Sequence, residues 1–273
     1  MAEDVLYHRL RPSQVIERRK ACPAAYVPLG ILEWHGHHNP LGADGLQAEA
    51  LAVMAARKGG GLAFPTLYYG ENRVESLVDA NATDREDIAR EMDLPPENFT
   101  PAKQPFTATE QALNYQRLLL HVLAEVQSLG FKVGVLVAGH YPLYDHARAA
   151  VLLHNRSEIS KRGGMLAWSC IDYHLVRDQY PLSGDHAGGW ETSHLLHLHP
   201  ELVDMECLPP KGEHLVGIGG ELSPQDATAE FGRETMERAV EIMVKEVKHR
   251  LDHTEQYRPA GESLKEGLWR SYA

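Results

Sequence analysis

Cysteine is scarce. Cys22, Cys170 and Cys207 are scattered and show no CxxC spacing, which excludes a disulfide framework and a zinc ribbon. Long apolar runs are missing too; none approaches the roughly 18 residues that a membrane span needs. Positive charge is in deficit, with 27 Lys and Arg against 38 Asp and Glu and a net charge of −11. An acidic chain repels phosphate backbones and no local basic patch offsets this, so nucleic acid is excluded as a partner. The opening segment MAEDVLYHRLRPSQ has no apolar stretch of the kind a secretory signal needs. With so few cysteines, the expected setting is reducing and cytoplasmic. Repeats and low-complexity tracts are absent. Histidine, by contrast, is abundant: 16 residues, several beside carboxylates, a composition open to a metal-binding or acid–base enzyme. A hydrophobic content of 43% argues against disorder, and 273 residues suffice for one large α/β domain, expected to span 1–273.

Hydrophobic patterning alternates strands with helices. Residues 24–32 (AAYVPLGIL) form a buried-strand run, 44–57 a helix with Asp44 at its N-cap, and 62–69 (LAFPTLYY) a second strand that Pro65 places at an edge or bulge. Residues 71–106 are acid-rich and punctuated by prolines, and read as a surface excursion with one helical turn near 84–92. A helix over 108–129 stops at Gly130; the strand FKVGVLVA follows over 131–138, then a helix at 143–160, a strand at 165–171 and a helix at 189–198 ended by Pro200. The last element is an amphipathic helix over 226–252, with Phe231, Met236, Val240, Met243, Val244, Val247 and Leu251 in one stripe. This order predicts a mostly parallel central sheet covered on both faces, a three-layer α/β/α fold. Such folds collect ligands at the carboxyl ends of their strands.

Three segments near those ends carry chemistry. The first runs from Glu33 to Asp44 (EWHGHHNPLGAD). If the strand continues through 35, Glu33 and His35 share one face and Trp34 takes the other. Carboxylate and imidazole together suit zinc, manganese or iron better than calcium. The plainer reading is that Asp44 caps its helix while His35 and His38 bond backbone carbonyls. The second segment is His140-Tyr141 after FKVGVLVA; this histidine is either a satisfied structural residue or a site residue at a central strand end. The third is Asp185-His-Ala-Gly-Gly-Trp-Glu-Thr-Ser193, where Glu191 falls in a first helical turn. The helix dipole alone accounts for a carboxylate there; as a ligand it would close the set Glu33, His35, Asp44, His140 and Glu191, leaving His186 as acid or base. His194, His197, His199, His249 and His253 read as packing or helix-end residues.

In this order the three segments resemble the creatininase (creatinine amidohydrolase) family over roughly 24–202. That family carries a Glu-x-His-Gly-x-His…Asp loop, a Gly-His motif after a buried strand and a His-Ala-Gly-x-x-Glu-Thr-Ser segment. The resemblance implies a creatininase-like three-layer fold, a homo-oligomer that is often a hexamer, and two divalent metal ions (Zn, Mn or Fe). It implies Glu33, His35, Asp44 and His140 as ligands, with Asp44 bridging. The family's namesake has a metal-binding glutamate where this chain has Pro142; other members lack it too and use the glutamate of the Glu-Thr-Ser segment, so the resemblance implies Glu191 as the fifth ligand. Further departures are Ala138 in place of Asn, His37 in place of Pro, and a longer 71–106 connection.

The activity implied is that of an amidohydrolase cleaving a cyclic amide or formamide-type C–N bond of a small molecule with metal-activated hydroxide. Glu33 and His140 would hold one ion, His35 and Glu191 the other. Catalytic work falls to His186, the donor to the leaving nitrogen, and to Glu191; Trp34, Tyr141 and Trp190 are expected to wall the substrate pocket. The rival readings are a non-catalytic binder of a small ligand, a structural or regulatory subunit whose histidines are core residues, and a metallopeptidase-like relative acting on short peptides. All the metal readings require that His140 meet the carboxylates of Glu33 and Asp44.

Overall fold

The computed structural model describes residues 4–70, 84–157 and 163–257. Its sheet has four parallel strands, β1 (Ala24–Leu29), β2 (Leu62–Ala63), β3 (Val133–Ala138) and β4 (Leu166–Ile171), in the order β2-β1-β3-β4. The helices are α1 (Pro12–Ala21), α2 (Ala43–Gly59), α3 (Arg85–Glu91), α4 (Ala108–Ser128), α5 (Tyr141–Arg156), α6 (Asp172–Val176), α7 (Gly189–Leu198), α8 (Ala229–Asp252) and the short α9 (Thr254–Tyr257).

Alternation along the strands divides the core in two. Tyr26, Val135, Val137 and Cys170 face α2 and α8, meeting Leu51, Ala55, Met236, Val240 and Met243. Val27, Leu29, Leu136 and Ile171 face α4 and α5, meeting Leu119, Leu123, Leu143 and Ala147. Burial on both faces explains why β1 and β3 are apolar throughout instead of alternating. The expected three-layer α/β/α fold is therefore present, with helices on either side of a parallel sheet. No helix among the described residues is long and apolar enough to cross a membrane.

The helix boundaries follow identifiable chemistry. Thr107 caps α4 in a capping box with Glu110, and Gly130 beyond its end adopts φ +86°. Thr228 caps α8 by accepting from the Phe231 amide, so that helix starts at Ala229 after a 3-10 turn at Pro224–Asp226.

Three readings change. Residues 62–69 are not one strand: the ladder stops at Ala63, and past Pro65 it resumes only at a bridge between Leu29 and Leu67. The strand over 24–32 ends at Leu29, so Glu33 and His35 lie on a loop. Asp44 is not the N-cap of α2; Gly42 holds that position, and Asp44 sits in the first turn. Of the 71–106 excursion, 71–83 lies outside the described residues, as do 158–160 of the helix expected over 143–160. Within the described part, Ile88 of α3 is fully buried against Trp34.

Register aligns the strand ends. Leu29 pairs with Ala138 and Ala138 with Ile171, so β1, β3 and β4 finish in one row. The chains leaving that row are the 30–42 loop, Gly139-His140 and α6. The first turn of α2 lies directly across it. A Cβ on Gly139 would sit 2.0 Å from the Asp44 carbonyl oxygen, and one on Gly30 would sit 2.4 Å from the Gly45 Cα. Both positions need glycine because backbone crosses backbone there.

Candidate metal centre

This crossing brings Asp44 against the 30–42 loop and the end of β3. Asp44 is fully buried and reaches two imidazoles with different oxygens. Its Oδ1 lies 3.1 Å from His35 Nε2, and its Oδ2 lies 3.2 Å from His140 Nδ1. Glu33 Oε1 approaches the same His140 nitrogen at 2.9 Å, and Glu191 Oε2 approaches His35 Nε2 at 3.3 Å. The donors thus fall into two triads that share Asp44: Glu33, Asp44 and His140, and His35, Asp44 and Glu191, the atoms within each lying no more than 4.8 Å apart. A third grouping joins Glu33 and His35 to His186, whose Nδ1 is 3.4 Å from Glu33 Oε1. His140 therefore meets both carboxylates, as the metal readings required.

The donor set fits a divalent cation on two observations. The first is buried oxygen without a hydrogen-bond partner: Glu33 Oε1 and Oε2 and Asp44 Oδ2, of which only Oε1 and Oδ2 lie close to His140 Nδ1. Buried charge left this way is unfavourable unless a positive charge sits among the oxygens. The second is the tautomer of His35. Its Nδ1 lies 3.2 Å from the Glu33 carbonyl oxygen, which can only accept, so Nδ1 carries the hydrogen. Nε2 then faces the carboxylates of Asp44 and Glu191, an arrangement satisfied by a second proton or by a cation in its place.

Without a cation, protons fill that role. Burial works against a charged His35, yet Asp44 and Glu191 outweigh it and hold its pKa well above the imidazole norm. For His140 burial is likewise outweighed by Glu33 and Asp44, and the pKa is pushed up to about 10. Burial raises the Glu33 pKa, against the pull of His140. Burial also opposes ionisation of Asp44, but the two imidazoles hold its carboxyl well below the usual range.

His186 behaves differently. Its Nε2 donates to the Trp34 carbonyl at 2.8 Å, so Nδ1 presents its lone pair to the cluster. Burial, then the charge of His35, pulls its pKa down to about 4. The next residue, Ala187, takes the left-handed conformation at φ 53°. Its amide donates to Glu191 Oε2 at 2.7 Å, and its carbonyl faces His38 Nε2 at 3.1 Å. His38 thus bonds a backbone carbonyl, as its plainer reading held. His194 is a packing residue, fully buried between Gln47 and Thr235.

An open cleft of about 560 Å³ leads to the cluster, reaching His140, His186 and Glu191. Tyr141 lines it, as expected. Trp34 and Trp190 are turned elsewhere: Trp34 packs on Ile88 and donates to the Val216 carbonyl, and Trp190 is buried beside Tyr180 and Phe231 with its indole donating to Asp172. The walls instead include Tyr173, His174 and Arg177, to which sequence reasoning gave no role. Asp185 was passed over as well. It accepts from the Trp190 and Glu191 amides, and burial, then repulsion from Glu191, raises its pKa to about 7. An acidic residue just before a Gly-Gly helix start was the available signal for that role.

Fold and site together define a parallel three-layer α/β protein with a buried carboxylate–imidazole centre at the carboxyl edge of its sheet. The sequence profile of the Creatininase family, described as creatinine amidohydrolase, matches residues 8–247; the chain belongs to that family. Among solved structures, one described as creatinine amidohydrolase (creatininase) superposes with a TM-score of 0.66 at 22% identity, covering 90% of this chain and 97% of the other. Another, described as "Creatininase Mn", gives a TM-score of 0.65 at 22% identity, with 92% and 99% covered. A mutant creatininase described as "Zn-Zn type" gives 0.63 at 22% identity, with 92% and 98% covered. At such identities these likenesses establish the shared fold. Comparison with curated proteins returned no match.

Proposed function

We propose that this protein is a dinuclear metal-dependent amidohydrolase that cleaves a non-peptide C–N bond of a small-molecule amide. The observation that carries the reading is Asp44, whose two carboxylate oxygens each serve a different triad. Relatives described as Mn and Zn-Zn forms point to the same class of ion. Glu33, Asp44 and His140 would hold one ion, and His35, Asp44 and Glu191 the other. Bound there, the ions would supply Lewis acidity and a lowered pKa for water.

The protein's own groups supply orientation and proton movement. The His35 Nδ1–H bond to the Glu33 carbonyl fixes the ring so that Nε2 faces its carboxylates. The Ala187 amide holds Glu191 from one side, and Asp185 holds the start of α7 from the other. His186 is the proton carrier. Its depressed pKa means that it begins neutral, so Nδ1 first accepts a proton from the attacking water and then gives it to the leaving nitrogen. One water is consumed; the products are a carboxylic acid and an amine or ammonia. This order gives His186 both of the roles open to it, base first and then acid.

The test combines elemental analysis of the purified protein with a hydrolysis screen over lactams, formamides, linear amides and short peptides. We expect close to two divalent ions per chain and turnover of at least one small amide. Asp44→Ala should remove both the metal and the turnover. Full metal content in that variant would overturn the ligand assignment, and turnover of peptides alone would redirect the reading to a peptidase.

A further inference from the structure

The cleft has one wall that the proton transfers above do not use. Where α6 ends, Arg177 lines that wall. The wall is held together by aromatic packing: the His174 ring meets Tyr173, Tyr144 and Tyr141 edge-on, with centroids 4.7, 5.0 and 6.3 Å away. Arg177 is exposed, and among the described residues it has no ion-pair or hydrogen-bond partner. Arg9, Arg90, Arg148, Arg233, Arg238 and Arg250 each meet a carboxylate, whereas among the described residues Arg177, like Arg57, meets none; what distinguishes Arg177 is that it lines the cleft.

Charge around the cleft sharpens the point. Among the described residues no other lysine or arginine lines it. Partial burial, then the neighbouring guanidinium of Arg177, lowers the pKa of His174 on the same wall. Asp185 already directs its carboxylate at the amides of Trp190 and Glu191. At the floor, two divalent ions would more than balance the carboxylates of Glu33, Asp44 and Glu191. The free guanidinium is then a fixed positive charge over a floor that does not call for it. A guanidinium on a cleft wall recognises a carboxylate with two parallel N–H donors.

We propose that Arg177 is the specificity-determining residue of the cleft and that the amide cleaved beside His186 carries a carboxylate elsewhere in the molecule. The substrate class is an acidic amide, such as a monoamide of a dicarboxylic acid. The cleft volume of about 560 Å³ accommodates such a molecule with room for a short chain between the two groups. Cleavage consumes one water, breaks the C–N bond, and leaves a dicarboxylate and ammonia. This inference rests on the hydrolase reading for its chemistry, but not for its recognition step.

The test uses the full chain loaded with zinc or manganese. The probes are the monoamides of malonic, succinic, glutaric and adipic acids, each paired with its uncharged diamide. Binding is measured by calorimetry and hydrolysis by ammonia release, in the wild type, Arg177→Gln and Arg177→Lys. We expect at least one monoamide to be favoured over its diamide by tenfold or more in Kd or kcat/KM. Arg177→Gln should bring that ratio close to one, and Arg177→Lys, which keeps the charge but loses the fork, should retain part of it. No preference in the wild type, no binding of any monoamide, or a preference that survives Arg177→Gln would each overturn the proposal. Arg177-dependent binding without ammonia release, together with no turnover in the wider amide screen, would leave the recognition step standing and sink the hydrolase reading. Hydrolysis indifferent to charge would do the reverse.

Discussion

His38 illustrates how a single buried ring can govern a site it does not enter. It touches none of the clustered carboxylates, yet it faces the Ala187 carbonyl while the Ala187 amide grips Glu191. Ala187 sits at φ 53°, a conformation that a residue with a Cβ holds only when its neighbours impose it. Removing the ring should let the turn relax and loosen Glu191. For His38→Phe we expect divalent-metal affinity to drop about 10- to 100-fold, the usual effect of losing an outer-sphere partner. His38→Gln, which can still donate, should recover part of it; competition with a chromophoric chelator reads both. His194 makes a different prediction. Burial lowers its pKa to about 3, against roughly 6.5 in an unfolded chain. The unfolded state therefore binds the extra proton first, and this residue's contribution is complete above pH 6.5 and lost as pH falls towards 3. Unfolding in urea should show a wild-type stability that declines from pH 7 to pH 5, and a shallower decline in His194→Gln.

Gly139 and α2 carry the corresponding prediction for an element. A methyl at 139 would meet the Asp44 carbonyl at 2.0 Å, so the first turn of α2 must lift from the ends of β1 and β3. Gly139→Ala should cost about 1–3 kcal/mol in urea unfolding, the usual range for overpacking, and should reduce metal content because Asp44 moves with the turn. Gly219→Ala is the control, since a Cβ there meets nothing within 4 Å. The same element shows what the sequence could and could not reveal. The apolar strands, the stripe on α8 and the stop at Gly130 were legible because burial on one face or two leaves a periodic trace. The convergence of Glu33, His35, Asp44 and His140 was legible only as residues placed at strand ends. Their meeting was anticipated through a strand continuing to 35, whereas the chain reaches it through a loop and a helix turn clamped by glycines. Trp34 and Trp190 were misplaced because an aromatic beside a motif does not reveal which way its ring turns. Arg177 and His174 stayed silent because nothing local distinguishes a cleft wall from any other short helix end.

For the whole molecule, the buried centre links stability to metal and to pH. A ligand bound only by the folded state adds stability that grows with its concentration, about 2.7 kcal/mol at a hundredfold excess over Kd. Loading with zinc or manganese should raise the melting temperature by several degrees, and chelation should reverse it. The pH dependence has a definite sign. In the metal-free protein the pKa of His140 is about 10 and that of His35 is well above its norm, while both lie near 6.5 when the chain unfolds. The folded, metal-free state therefore holds extra protons, its advantage is complete below pH 6.5, and that advantage drains away as pH rises towards 10. Metal must displace those protons, so binding strengthens across the same interval. The gap in melting temperature between loaded and chelated protein should widen from pH 7 to pH 9. Calorimetry at pH 7.5 in buffers of different ionisation enthalpy should register proton release on metal uptake. A gap that stays constant or narrows with pH, or uptake that releases no proton, would show that the imidazoles of 35 and 140 are not where the ions bind.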